Sequence, residues 1–263
     1  MHEILGMFLL LAAGIFISAI GAIAGLGGGF LAVPFLMLLW GLDSEMAVLV
    51  SLTMILANSI SSSVTYLRNR LVDIRVFALL VLPTIPGLFV GWWLLRNLED
   101  SHFRLVFSLL MATVMTYILI RNRKEVRAGK NKRVGRKRID GLISIISTPI
   151  AFIAGAASSA FGIGGGAILM PLQVGLLNMN VKRAIATSMM LLAVMSGTRV
   201  IIISGASFDP FIALPFALGG LLGAQAAAYF VKIARSGSLL YFLAACMFAI
   251  AIYMGTQAMI DLI

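Results

Sequence analysis

The residues of this chain able to hold a ligand are few, and most of them come in matched pairs. Residues 25–34 read Gly-Leu-Gly-Gly-Gly-Phe-Leu-Ala-Val-Pro, and residues 162–171 read Gly-Ile-Gly-Gly-Gly-Ala-Ile-Leu-Met-Pro, 137 positions later. A glycine costs about 1 kcal/mol in a helix interior relative to alanine. Four within five residues, with proline following, therefore predict an interrupted helix. A helix N-terminus offers unpaired N–H groups and the positive end of the peptide dipole, which suits an anion. Gly27, Gly28 and Gly29 at one break, and Gly164, Gly165 and Gly166 at the other, are the candidate anion-holding positions. The structural alternative is close packing, since small residues let membrane helices approach one another. No predicted strand precedes either cluster and no P-loop lysine follows, which excludes a nucleotide-phosphate loop.

Hydroxyls and amides in the segment after each break form the second group. Ser51 and Ser188, again 137 apart, and Asn58 can donate hydrogen bonds to a small oxyanion. They can equally bond across helices, a contact worth about 0.6 kcal/mol on average. Arg199 is the only basic residue expected inside a span; it either attracts an anion or snorkels to the membrane edge. Gln173 and Gln225 are expected to make packing hydrogen bonds, and Asp73 and Asp209 to cap helices. The parts of an enzyme are missing. His2 and His102 are far apart, Cys246 is the single cysteine, and no Ser-His-Asp set or metal-ligand spacing occurs. No catalytic residue, metal or cofactor is expected.

The elements that must position these residues are membrane helices. Of 263 residues, 61% are hydrophobic and only 11% charged. Apolar runs recur at roughly 4–22, 27–40, 46–66, 76–95, 103–120, 141–160, 164–179, 183–203, 210–231 and 238–260. Spanning a bilayer core takes about 20 such residues. The fold class is therefore an all-α polytopic membrane protein, with the lipid bilayer as its surroundings. Met1-His2-Glu3 lacks the positive charge of a signal-peptide n-region. The net charge of +10 does not point to nucleic acid, because half of the 20 Lys and Arg lie between Arg121 and Arg138. That run is expected to be a cytoplasmic loop. Counting outward from it puts Arg68, Arg70, Arg75, Lys182 and Arg183 inside, and Asp43, Glu45, Glu99, Asp100 and both termini outside. The location expected is the cell (inner) membrane.

Five segments per half is an odd number, so two tandem halves are expected to be inverted repeats in the membrane. Beyond the glycines, Pro34 matches Pro171 and Ala47 matches Ala184 at an offset of 137; Asp73 matches Asp209 and Gly87 matches Gly223 at 136. The expected organisation is a first repeat over 1–121, a basic linker over 122–138 and a second repeat over 139–263. With arms of about 18 residues on either side of each break, the first two segments of a half are either tilted spans or hairpins.

The glycine cluster with Pro34, Ala47, Ser51, Asp73 and Gly87, and its counterpart Gly162 to Pro171 with Ala184, Ser188 and Asp209, resembles the TauE/SafE family of sulfite-exporter-like membrane proteins. The resemblance covers essentially the whole chain. It implies transport of a small sulfur-containing anion such as sulfite, thiosulfate, a sulfonate or sulfoacetate. It carries over to the two glycine clusters, Pro34, Pro171, Ser51 and Ser188. The expectation is a secondary transporter working by alternating access, with export favoured. The alternatives are a membrane scaffold docking a partner through its basic loop, and a permease for a metal or other ion. Homo-oligomerisation is left open.

Overall fold

The computed structural model describes residues 2–24, 27–127, 141–177, 179–203, 209–230 and 236–261. Among the described residues there are ten α-helices and no strand: α1 (His2–Ala24), α2 (Gly29–Leu39), α3 (Ser44–Arg68), α4 (Ile74–Arg96), α5 (Asp100–Arg127), α6 (Gly141–Phe161), α7 (Gly166–Gly175), α8 (Val181–Ile203), α9 (Pro210–Phe230) and α10 (Ser236–Asp261). Each expected hydrophobic segment is one helix. Most of the basic linker lies outside the described residues. Within α1, α3, α4, α8 and α9 the apolar stretch is long enough to cross a membrane. The chain is a multi-pass membrane protein, and Leu82, Ile201 and Phe211 are among the large apolar side chains left on its outer faces.

The arms around the glycine breaks are unequal. α1 and α6 have 23 and 21 residues, whereas α2 and α7 have only 11 and 10. At 1.5 Å per residue the short helices reach about 16 Å, half of a core about 30 Å thick. The picture of two arms of similar length is therefore replaced by a long helix followed by a half-length one.

The helices form two compact units, one of residues 1–96 with 136–233 and one of 97–135 with 234–263. In the smaller unit α5 packs along α10, and Gly255 faces the Ser108 hydroxyl. In the larger unit α3 and α8 pack together at the centre. Of their span residues 61% and 56% are buried, against 33% in α1 and α4. They run antiparallel: Glu45 at the start of α3 is within electrostatic reach of Arg199 near the end of α8. At the other end, the Asp73 N–H just beyond α3 donates to Thr187 Oγ1 near the start of α8, at 3.0 Å.

Around this pair, α1 lies along α9 and α4 along α6. These are the same packing made twice. A Cβ on Gly223 of α9 would overlap the Ile15 carbonyl of α1, and a Cβ on Gly87 of α4 would overlap the Phe152 carbonyl of α6. Gly223 and Gly87 differ by 136 positions, Ile15 and Phe152 by 137. Caps repeat too. Asp73 Oδ1 accepts from the N–H of Arg75 at 3.2 Å, and Asp209 Oδ1 from that of Phe211 at 2.9 Å, as the capping expectation required. Because α1 pairs with α9 and α4 with α6, the two sequence halves are interleaved.

Candidate functional site

Each short helix begins at a glycine in the left-handed region. Gly28 has φ +93° and Gly165 φ +69°, with ψ of −9° and −11°. An L-residue with a Cβ there costs about 1–2 kcal/mol. The two turns also bond alike: Leu31 and Ala32 donate to the Gly28 carbonyl, and Ile168 and Leu169 to that of Gly165, all at 3.0–3.1 Å. The N–H groups of Gly29 and Phe30, and of Gly166 and Ala167, find no acceptor among the described residues. Pro34 and Pro171 each remove one backbone bond in the following turn.

The breaks face each other. A Cβ on Gly29 would overlap the Gly162 carbonyl and approach the Ile163 Cα at 2.7 Å. Gly27 and Gly164 both lie against the same two side chains, Ile55 of α3 and Leu192 of α8. Both residues sit halfway along their helices, so the breaks meet halfway along the two central spans. Every described glycine of the two clusters, Gly27 to Gly29 and Gly162 to Gly166, is buried. Close packing thus accounts for Gly29, and backbone conformation for Gly28 and Gly165.

The polar candidates divide into three. Ser51 and Asn58 belong directly to the breaks. Ser51 Oγ donates to the Gly162 carbonyl at 2.9 Å. Asn58 Nδ2 lies 3.4 Å from the Gly27 carbonyl and 3.5 Å from that of Ser18, and its Oδ1 accepts from Ser62 Oγ at 3.3 Å. Ser188 is engaged two turns into α7, where its Oγ accepts from Gln173 Nε2 at 3.0 Å. Arg199 does not snorkel: it is 2% exposed, and its Nε donates to the Ser159 carbonyl of α6 at 3.5 Å. Gln225 lies on the exposed face of α9 rather than in a packing bond.

Ser158 and Ser159 are polar residues that the sequence reading passed over. Both are fully buried, and neither hydroxyl has a hydrogen-bond partner among the described residues. The signal was their position, a Ser-Ser pair about one turn before the second break.

Two half-length helices meeting N-terminus to N-terminus, each preceded by a long arm and repeated in one chain, is a transporter-like arrangement. The sequence profile described as "Sulfite exporter TauE/SafE" matches residues 10–254. The chain belongs to the TauE/SafE family. Among relatives, a "Probable membrane transporter protein YunE" of Bacillus subtilis is 26% identical over 214 residues, covering 75% of this chain and 78% of its own. A "Probable membrane transporter protein" of Xylella fastidiosa (strain Temecula1) is 29% identical over 209 residues, covering 78% and 77%. A "Probable membrane transporter protein MJ0441" of Methanocaldococcus jannaschii is 23% identical over 186 residues, covering 68% and 66%. No solved structure matches the chain. In this TauE/SafE protein the matched span begins within α1 and ends within α10, so both breaks fall inside it.

Proposed function

We propose that this TauE/SafE protein is a secondary transporter moving a small sulfur-containing oxyanion, of the sulfite, thiosulfate, sulfonate or sulfoacetate class, by alternating access. The meeting of two helix N-termini halfway along the two central spans carries this proposal. The N–H groups of Gly29, Phe30, Gly166 and Ala167, without a backbone acceptor among the described residues, stand at the starts of the two short helices that meet. Two positive dipole ends brought together repel unless negative charge lies between them. The anion is held by the backbone at Gly27–Gly29 and Gly164–Gly166, with Ser51, Asn58 and Ser188 fixing the carbonyls and helices around it.

The two repeats, 1–121 and 139–263, are inverted in the membrane, with the linker cytoplasmic and both termini external. Because α1 is bound to α9 and α4 to α6, the bodies that rock are these cross-repeat pairs, moving about the α3–α8 crossing. Export is the favoured direction. A negative cell interior drives an anion outward by about 2.3 kcal/mol per charge per 100 mV. The only charged side chain buried among the described residues is Arg199, so no buried carboxylate is at hand for proton coupling.

The test is radiolabelled sulfite flux in proteoliposomes, with thiosulfate, taurine, sulfoacetate and sulfate as competitors. Saturable flux, accelerated by a potential negative on the substrate side and blocked by at least one competitor, is expected. No flux of any of these anions under either polarity would overturn the assignment.

A further inference from the structure

Resting on the transport assignment above, we infer that Arg199 with the hydroxyls of Ser158 and Ser159 forms a second anion-holding station. It adjoins the second glycine break and lies toward the end of the bundle that carries Glu45.

The argument begins with unmet hydrogen-bonding capacity. Arg199 is 2% exposed, and its NH1 has no acceptor among the described residues. A guanidinium carries five donors and keeps its charge. Buried without a carboxylate partner, it is strongly unfavourable unless something else supplies the negative charge. No carboxylate does so here: Glu45 is within electrostatic reach but forms no ion pair with it among the described residues.

Helix capping explains only part of the residue. The Nε bond to the Ser159 carbonyl places a cation at the C-terminus of α6, which the dipole favours. That bond leaves NH1 unused. The two adjacent hydroxyls are unused as well, and in a membrane core such groups mark a pathway.

The three groups suit one kind of guest. A charged N–H donor held at the α6 turn that also carries two unpartnered O–H donors matches an oxyanion with several oxygens, and a guanidinium binds two of them at once. The station also adjoins the first site. The Ser158 Cβ lies 3.4 Å from where a Cβ on Gly165 would stand, and the Ser158 carbonyl accepts from the Gly162 N–H at 2.9 Å. The last turn of α6 therefore touches the second break on one side and Arg199 on the other.

The experiment compares wild type with Ser158→Ala, Ser159→Ala and Arg199→Lys, in two readouts. One is sulfite flux in proteoliposomes. The other is the thermal midpoint of detergent-purified protein, with and without sulfite, thiosulfate, taurine or sulfate. Unpartnered buried hydroxyls cost stability, so the two alanine variants are expected to keep or raise the anion-free midpoint. They are expected to lose part of the anion-induced rise, and KM is expected to increase several-fold. Arg199→Lys keeps the charge but not the fork, and is expected to raise KM about tenfold while retaining Vmax.

Each other outcome is decisive. Alanine variants that lower the anion-free midpoint, and leave KM and the anion-induced rise unchanged, would make the hydroxyls structural and overturn the station. Wild-type flux with all three variants unaltered would overturn the station and leave the transport assignment standing. An anion-induced rise that depends on these residues, without flux, would do the reverse. Neither flux nor any anion-induced rise in wild type would overturn both.

Discussion

At the scale of single residues, the glycines of the breaks are not equivalent, and their chemistry separates them. Gly28 and Gly165 are held by φ, so alanine at either costs about 1–2 kcal/mol of strain. The space around them adds tight but similar contacts: a Cβ at 28 stands 3.1 Å from the Ile17 carbonyl, and one at 165 stands 3.1 Å from the Ala154 carbonyl and meets the flexible end of Met195. Gly29 is held by contact: a Cβ there runs into the backbone of the opposite break. Gly28→Ala and Gly165→Ala are therefore expected to fold with midpoints lowered by similar, modest amounts, and Gly29→Ala to be the most damaging of the three. Thermal unfolding in detergent measures this, and a harmless Gly29→Ala would mean that the two breaks do not touch. The sequence made the glycine clusters legible because four glycines in five residues break any helix. It could not say which glycine answers to conformation and which to a neighbour, because the neighbour of Gly29 is Gly162, 133 positions away. Ser158 and Ser159 were illegible for a related reason: a serine in a membrane helix usually finds a partner, and only coordinates show one that has not.

At the scale of elements, hydropathy located all ten helices because a lipid-spanning run must be apolar along its whole length. It did not distinguish a span from a half-span. The run at 27–40 is as apolar as its neighbours, yet α2 stops at Leu39 after 11 residues. What sets its depth is tertiary, namely the meeting with Gly162 and Ile163. The pairings α1–α9 and α4–α6 were also beyond the sequence, although matched glycines at 87 and 223 mark them in retrospect. Gly87→Val and Gly223→Val push the same kind of side chain into the same kind of carbonyl. Comparable losses of stability are expected from both, well beyond that of an exposed-site change. Gly175, at the end of α7, has open space around a Cβ and no positive φ, so Gly175→Ala is expected to be neutral or stabilising by up to about 1 kcal/mol. Thermal midpoints of the three variants check this, and equal behaviour of Gly87→Val and Gly175→Ala would contradict the packing described.

At the scale of the whole molecule, the arithmetic of the duplication becomes a statement about the membrane. Glu45 and Lys182 are 137 positions apart and stand at the starts of α3 and α8. Those helices are antiparallel, so the two residues occupy opposite ends of the central pair, although they are equivalents in the repeat. Charge assigns the ends. The end holding the starts of α4 and α8 carries Arg68, Arg70, Arg75, Lys182 and Arg183, whereas that of α3 carries Asp43 and Glu45. By the positive-inside rule the first is expected to be cytoplasmic. In a background with Cys246→Ser, Glu45→Cys is expected to react with a membrane-impermeant maleimide on intact cells, and Lys182→Cys only after permeabilisation. Labelling of both from the same side would refute inverted repeats and, with them, the symmetry on which alternating access depends. An inverted pair can exchange conformations between its halves, so that one structure describes both the inward- and outward-facing forms. Two halves facing the same way would offer only one form, and the glycine breaks would then need another explanation than a site opened to each side in turn.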